Sequence, residues 1–226
     1  MKQLFWSLLF AVVFAIGAYA QESATPELSV SLKTELATPY KAYGLTVFED
    51  SSRILYLDAN YGNIFGGAWF AQPNDNLEIT ELNFYIGRAW TMFNDKPWQT
   101  ELSSIVFYTF YDQDWDDFFE FALDVSFPDL LPWKLVPSLG MHRFETFDSA
   151  NFTRGWFAPM ALERECNLPD WLLFQEEQTL TARVDALWSE GIVGTESGWD
   201  NMSTNAQTTY HLWELDVALK GGYQHS

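Results

Sequence analysis

Three histidines, His142, His211 and His225, one cysteine, Cys166, and the acidic run Asp112, Asp114, Asp116 and Asp117 are the residues of this chain whose types most readily carry chemistry. Their spacing does not assemble a reaction centre. The histidines lack the spacing of metal ligands, and each is expected to be a solvated or lumen-facing side chain. Cys166 has no histidine near it in sequence and no second cysteine to bridge, so it is expected to fill space. The alternating aspartates would suit a hard cation, but the glycine and the distal glutamate of an EF-hand loop are missing, which leaves a solvated loop as the expectation. Asn151-Phe152-Thr153 and Asn201-Met202-Ser203 match the glycosylation acceptor pattern, which is common by chance. No phosphate-binding glycine loop occurs, and no serine stands in an elbow motif. The chain is therefore expected not to be an enzyme and to need neither metal nor cofactor. What remains is a set of polar side chains at alternate positions: Glu81 and Asn83, Glu120 and Asp124, Arg183 and Asp185, Glu214 and Asp216.

Alternation is the property that positions them. Leu28, Val30, Leu32 and Leu36 interleave with Ser29, Ser31, Lys33 and Glu35. Successive strand side chains point to opposite faces, so such a segment has one apolar and one polar face. In the segment from Phe118 to Phe127, the set Phe119, Phe121, Leu123, Val125, Phe127 is wholly apolar, while Glu120, Asp124 and Ser126 share the other face with Phe118 and Ala122. The same reading puts Glu214 and Asp216 on the polar side of the last segment. Strands of about 9–11 tilted residues with this division suit a membrane barrel, lipid outside and water inside.

Ten strands are expected: Leu28–Ala37, Arg53–Tyr61, Gly62–Ala71, Leu77–Trp90, Ser103–Tyr111, Phe118–Phe127, Lys134–Phe144, Arg154–Glu165, Gln178–Trp188 and Thr208–Gly222. The breaks between them carry turn residues, such as Asn60-Tyr61-Gly62-Asn63, Pro73-Asn74-Asp75-Asn76 and Asn94-Asp95-Lys96-Pro97. A long polar and aromatic connection through Pro39, Gly44 and Asp50 follows the first strand. Ahead of all this, Met1 and Lys2, the apolar run Leu4 to Ile16 and Ala18-Tyr19-Ala20 read as a secretory leader cleaved after Ala20. About 206 residues would remain, a single β-barrel domain over 21–226. Loss of Lys2 leaves 11 basic against 31 acidic residues, a net charge of −20. That excludes a nucleic-acid partner, which needs a basic face. The aromatic content of 18% is too high for an acidic disordered chain. Tryptophans 69, 90, 98, 115, 133, 156, 171, 188 and 199 fall near expected strand ends or in loops, the placement of an interfacial girdle.

The run Leu77-Glu78-Ile79-Thr80-Glu81-Leu82-Asn83-Phe84-Tyr85-Ile86-Gly87 resembles the central strand of the TorF family of bacterial outer-membrane porins. Val106-Phe107-Tyr108-Thr109-Phe110-Tyr111, an acidic loop and Asp117-Phe118-Phe119-Glu120-Phe121 resemble that family's tyrosine-rich strand, loop and aromatic-glutamate strand. The resemblance covers most of the chain beyond the leader through composition-like patterns. It departs at Tyr40-Lys41-Ala42-Tyr43-Gly44, where Tyr43 replaces the family's arginine. It departs again at Gly221-Gly222-Tyr223-Gln224-His225-Ser226, which lacks a terminal aromatic. Either Tyr223 is a displaced terminal aromatic, or one or two closing strands are missing.

The expectation is an all-β, antiparallel up-and-down transmembrane barrel of about 10–12 strands in the bacterial outer membrane. The resemblance implies a porin. Its partners would be outer-membrane lipid and small ions or solutes, with Glu81, Asn83, Glu120, Asp124, Arg183, Asp185, Glu214 and Asp216 lining a cation-preferring lumen. Two alternatives stay open: a non-conducting structural or adhesive barrel, and a secreted carbohydrate-binding β-sandwich that uses exposed tryptophans.

Overall fold

The structure, a computed structural model, describes residues 26–37, 40–42, 45–48, 51–74, 80–112, 117–147, 153–168, 178–191, 197–212 and 215–225. The leader, the aspartates between 113 and 116, the acceptor Asn151, Trp115, Trp171 and Glu214 lie outside them.

Eleven strands form one antiparallel sheet in which each strand pairs with its neighbour in sequence. They are β1 (Leu28–Ala37), β4 (Ser52–Tyr61), β5 (Ile64–Pro73), β6 (Thr80–Met92), β7 (Thr100–Asp112), β8 (Phe118–Ser126), β9 (Leu135–Thr146), β10 (Gly155–Asn167), β11 (Thr179–Ser189), β12 (Gly198–Leu212) and β13 (Leu215–His225). Between β1 and β4, where a plain connection was expected, β2 (Tyr40–Ala42) and β3 (Leu45–Phe48) make a separate two-stranded sheet. The main sheet is all-β and up-and-down, as expected, but it does not close. Among the described residues β1 pairs only with β4, and β13 only with β12.

The expected strand Thr208–Gly222 is in fact two strands of a hairpin, with Leu212 opposite Leu215. Most of β12 carries no apolar alternation, since Met202, Thr204, Ala206 and Thr208 form its less polar side. The β4–β5 hairpin forms where expected. Gly62 occupies the first of its two turn residues with φ +60°, the positive φ that tight hairpin turns require.

Tracing cross-strand partners assigns every strand residue to one of two faces. One face carries Leu28, Val30, Leu32, Leu57, Phe84, Ile86, Leu139, Met160 and Leu219. Every exposed large apolar side chain located in a main-sheet strand belongs to this face; Leu32 is 70% and Ile86 62% exposed. The opposite face carries Ser52, Glu81, Asn83, Thr109, Glu120, His142 and Ser189, all buried, together with the core cluster of Tyr111, Phe118, Phe144, Phe157 and Leu187. Polar groups are covered and aliphatic ones are bare, the inverse of a water-soluble sheet. Among the described residues no second large sheet is present to cover the polar face, and its buried side chains are packed and hydrogen-bonded against one another. A sandwich would need two such sheets, and one meander of eleven strands supplies only one.

Candidate functional site

The polar face is the candidate site, and its chemistry is acidic. Glu35, Asp58, Glu81, Glu101, Glu120, Asp124, Glu163, Glu165 and Asp185 stand on it against Lys33, Arg183, Lys220 and His142. On the apolar face the charges with described side chains are Arg53, Arg88, Arg143, Arg164 and Glu145, all within five residues of a strand end, and pairing places Asp112, the last residue of β7, there as well.

Of the eight residues expected to line a lumen, the six with described side chains share this face. Glu214 lies outside the described residues, and Asp216 is placed only by its pairing with His211. The six do not form a ring. They fall into three groups, each tied to residues the sequence did not single out.

In the first group, Glu120, Ala122 and Asp124 occupy successive same-face positions of β8, and His142 of β9 is the cross-strand partner of Ala122. The small alanine leaves room for the imidazole between the two carboxylates. Nδ1 lies 2.6 Å from Glu120 Oε1 and Nε2 lies 2.9 Å from Asp124 Oδ1. Both ring nitrogens face carboxylate oxygens, so both donate and the ring is the imidazolium. Glu120 is 1% exposed, whereas the Asp124 side chain is 35% exposed. The Phe157 ring packs 4.7 Å from the His142 ring. Gly140 stands across from Asp124, and a Cβ there would collide with that carboxylate, with Pro159 and with the imidazole. His142, expected to be solvated or lumen-facing, lies on the polar face, where it is a buried cation clamped between two anions. Its partners depend on the β8–β9 register, which no pattern within one strand reveals.

The second group is uncharged except for Glu81. Asn83 Nδ2 donates to Glu81 Oε1 at 2.7 Å, and the Thr109 hydroxyl donates to Asn83 Oδ1. Beside it, the Tyr85 hydroxyl reaches across Gly67 to donate to Asp58. A Cβ at Gly67 would meet both the hydroxyl and the carboxylate, so the glycine keeps that crossing open. Trp69, expected in the girdle, belongs to this polar face and packs edge-on against Tyr56 at 5.8 Å.

The third group is the most hydrated. Arg183 Nε donates to Asp185 Oδ1 at 2.6 Å and Nη1 to Glu163 Oε2 at 3.4 Å. Asp185 Oδ2 also accepts from Asn205 Nδ2 at 3.1 Å and from Ser203 Oγ at 3.4 Å. The Arg183 side chain is 44% exposed.

The comparisons with known proteins add nothing to this geometry. No family model, no curated protein and no solved structure matches the chain.

The remaining described tryptophans frame the site. Trp90, Trp98 and Trp133 lie at the rim that carries the Gly62 turn, and Trp156, Trp188 and Trp199 at the opposite rim. At each rim an arginine stacks on one of them: the Arg88 guanidinium lies 5.4 Å from the Trp90 ring centre and that of Arg143 5.5 Å from Trp156.

Proposed function

We propose that this chain is an outer-membrane β-barrel whose acidic interior passes small cations, in keeping with its resemblance to the TorF porins and with export behind a cleaved leader. One observation carries the reading: the exposed large aliphatic side chains of the main-sheet strands lie on one face of an eleven-stranded meander, while carboxylates and hydroxyls are buried on the other. In water the bare aliphatic face would drive aggregation; in hydrocarbon it is the solvated face. Tryptophan and arginine at both rims supply the interfacial anchors such a belt needs.

Selectivity follows from the charge of the lumen. An excess of carboxylates lowers the potential along the path and favours cations. The more hydrated wall of β10–β12, with Glu163, Asp185 and Arg183, is the natural path, because Glu81, Asn83 and Glu120 are packed under their neighbours. That same packing favours a second reading, a barrel filled by its own side chains that does not conduct.

Fractionation of the expressed full-length chain, followed by electrophoresis with and without boiling, tests the barrel. Recovery in the outer membrane with heat-modifiable migration is expected. Recovery as a soluble protein would reject the barrel and porin readings together. Planar-bilayer recording then separates the two barrel readings, since the filled barrel gives no unitary currents.

A further inference from the structure

The polar face is dry at one end and hydrated at the other. In each strand from β4 to β11, the two polar-face residues nearest the rim opposite Gly62 are buried, Thr146 of β9 alone excepted. At the Gly62 rim the corresponding two residues are buried in none of these eight strands. The residue types differ accordingly. The hydrated end carries such side chains as Glu101, Ser126, Glu165 and Thr181, whereas the dry end carries Tyr111, Phe118, Phe144, Phe157 and Leu187, packed as one cluster.

These five come one each from β7, β8, β9, β10 and β11. Each is the diagonal neighbour of the next, two residues off the direct pairing and always displaced in the same direction. Aromatic side chains still meet across such a diagonal. Phe118 and Phe144 lie with ring centres 4.0 Å apart, and Tyr111 and Phe118 with centres 6.2 Å apart. The tilted strands of a barrel turn a diagonal of this kind into a layer across its axis. The hydrated wall of β10–β12 runs straight into it. Beyond Arg183 and Asp185, the next same-face residue of β11 is Leu187, which is 8% exposed and pairs with Pro159; Phe157 stands one same-face step further along β10.

We infer, on the reading of the chain as a cation-passing barrel, that this apolar layer is the constriction of the path, a hydrophobic gate with Leu187 and Phe157 at its open edge. A small cation travels with its hydration water, and apolar walls offer no oxygen to replace it. A narrow water column between such walls empties, and the ion stops there. The two ends therefore divide the work: Glu163 and Asp185 choose the sign of the ion, and the layer sets how fast it passes.

The test is planar-bilayer recording of the full-length chain with an isosteric pair of substitutions at the edge of the layer. Leu187→Thr and Leu187→Val leave side chains of the same shape, but only threonine adds a hydroxyl. Leu187→Thr is expected to raise the unitary conductance at least about threefold over Leu187→Val, with the cation preference kept because Glu163 and Asp185 are untouched. Equal conductance in the two variants would overturn the gate, since space alone would then decide the flow. A gain without cation preference would overturn it as well, because the current would bypass the acidic wall. If the unsubstituted chain is a heat-modifiable barrel that passes no current, opening by Leu187→Thr alone supports the layer as the seal, and silence of both variants overturns it. Failure of the unsubstituted chain to show heat-modifiable migration would remove the barrel reading and the gate together, whereas equal currents through variants that do migrate so remove the gate alone. Should Leu187→Thr lose that migration, Phe157→Gln against Phe157→Met makes the same comparison at the other side of the edge, read by the same criteria.

Discussion

At His142 the imidazolium contributes charge neutralisation that its neighbours cannot replace. Glu120 is buried, and its carboxylate is 2.6 Å from the ring. Breaking a buried ion pair by removing one member typically costs about 3–5 kcal/mol, because the other charge stays desolvated. His142→Ala is therefore expected to lower the unfolding free energy of the folded, heat-modifiable form, read from the urea midpoint and slope, by about that amount. His142→Ala with Glu120→Gln should recover a large part of it, since no buried charge is left alone; equal loss in both variants would mean that the ring acts only by filling space. Arg183 calls for a different argument, because its partners are hydrated and the pair adds little to stability. There the consequence is electrical. Glu163→Gln with Asp185→Asn removes two lumen charges beside the proposed path, and the cation-to-anion permeability ratio in bilayers should fall by about twofold or more while the fold persists. An unchanged ratio would take the path away from β10–β12.

A strand's two faces tolerate opposite substitutions. In β6, Ile86 is bare and lies mid-strand among Leu82 and Phe84, while Asn83 is buried on the other side. Ile86→Lys puts a charge in hydrocarbon and should cost about 2–4 kcal/mol near the midplane. Refolding into vesicles should show that loss, and Ile86→Leu should show none; a tolerated lysine would mean that this face meets water. The faces themselves were readable from the sequence, because a period of two needs no knowledge of the partner strand. Phe119, Phe121, Leu123 and Val125 were assigned to the bare side of β8 on that basis alone, and they lie there. What alternation cannot reveal is which strand stands opposite at which residue. The Glu120–His142–Asp124 clamp and the Tyr85–Asp58 crossing both depend on inter-strand register, which turn geometry sets. β12 escaped for another reason: its less polar side is threonine, alanine and one methionine, too weak a signal against Asn201, Ser203, Asn205 and Gln207.

Over the whole molecule, the belt between the rims predicts where light-emitting side chains sit relative to lipid. Trp90, Trp98 and Trp133 belong to one rim, Trp156, Trp188 and Trp199 to the other, and Trp69 lies on the polar face between them. Arg88 over Trp90 and Arg143 over Trp156 hold two of these rings beside a cation suited to headgroup phosphates. Variants that keep one of these seven tryptophans, with the other tryptophans replaced by phenylalanine, should then divide by depth when reconstituted with lipids brominated at different positions. Rim tryptophans are expected to be quenched most by bromines near the headgroups and least by those at the chain ends. Trp69 should be nearly unaffected by bromines at any depth, since a curled sheet separates it from the lipid. The comparison also measures the curl: if Trp69 were quenched as strongly as Trp156, the polar face would touch lipid, and a flat or everted sheet would replace the barrel. If instead all seven resisted every bromine while remaining open to aqueous iodide, the aliphatic face would be covered by something other than a bilayer.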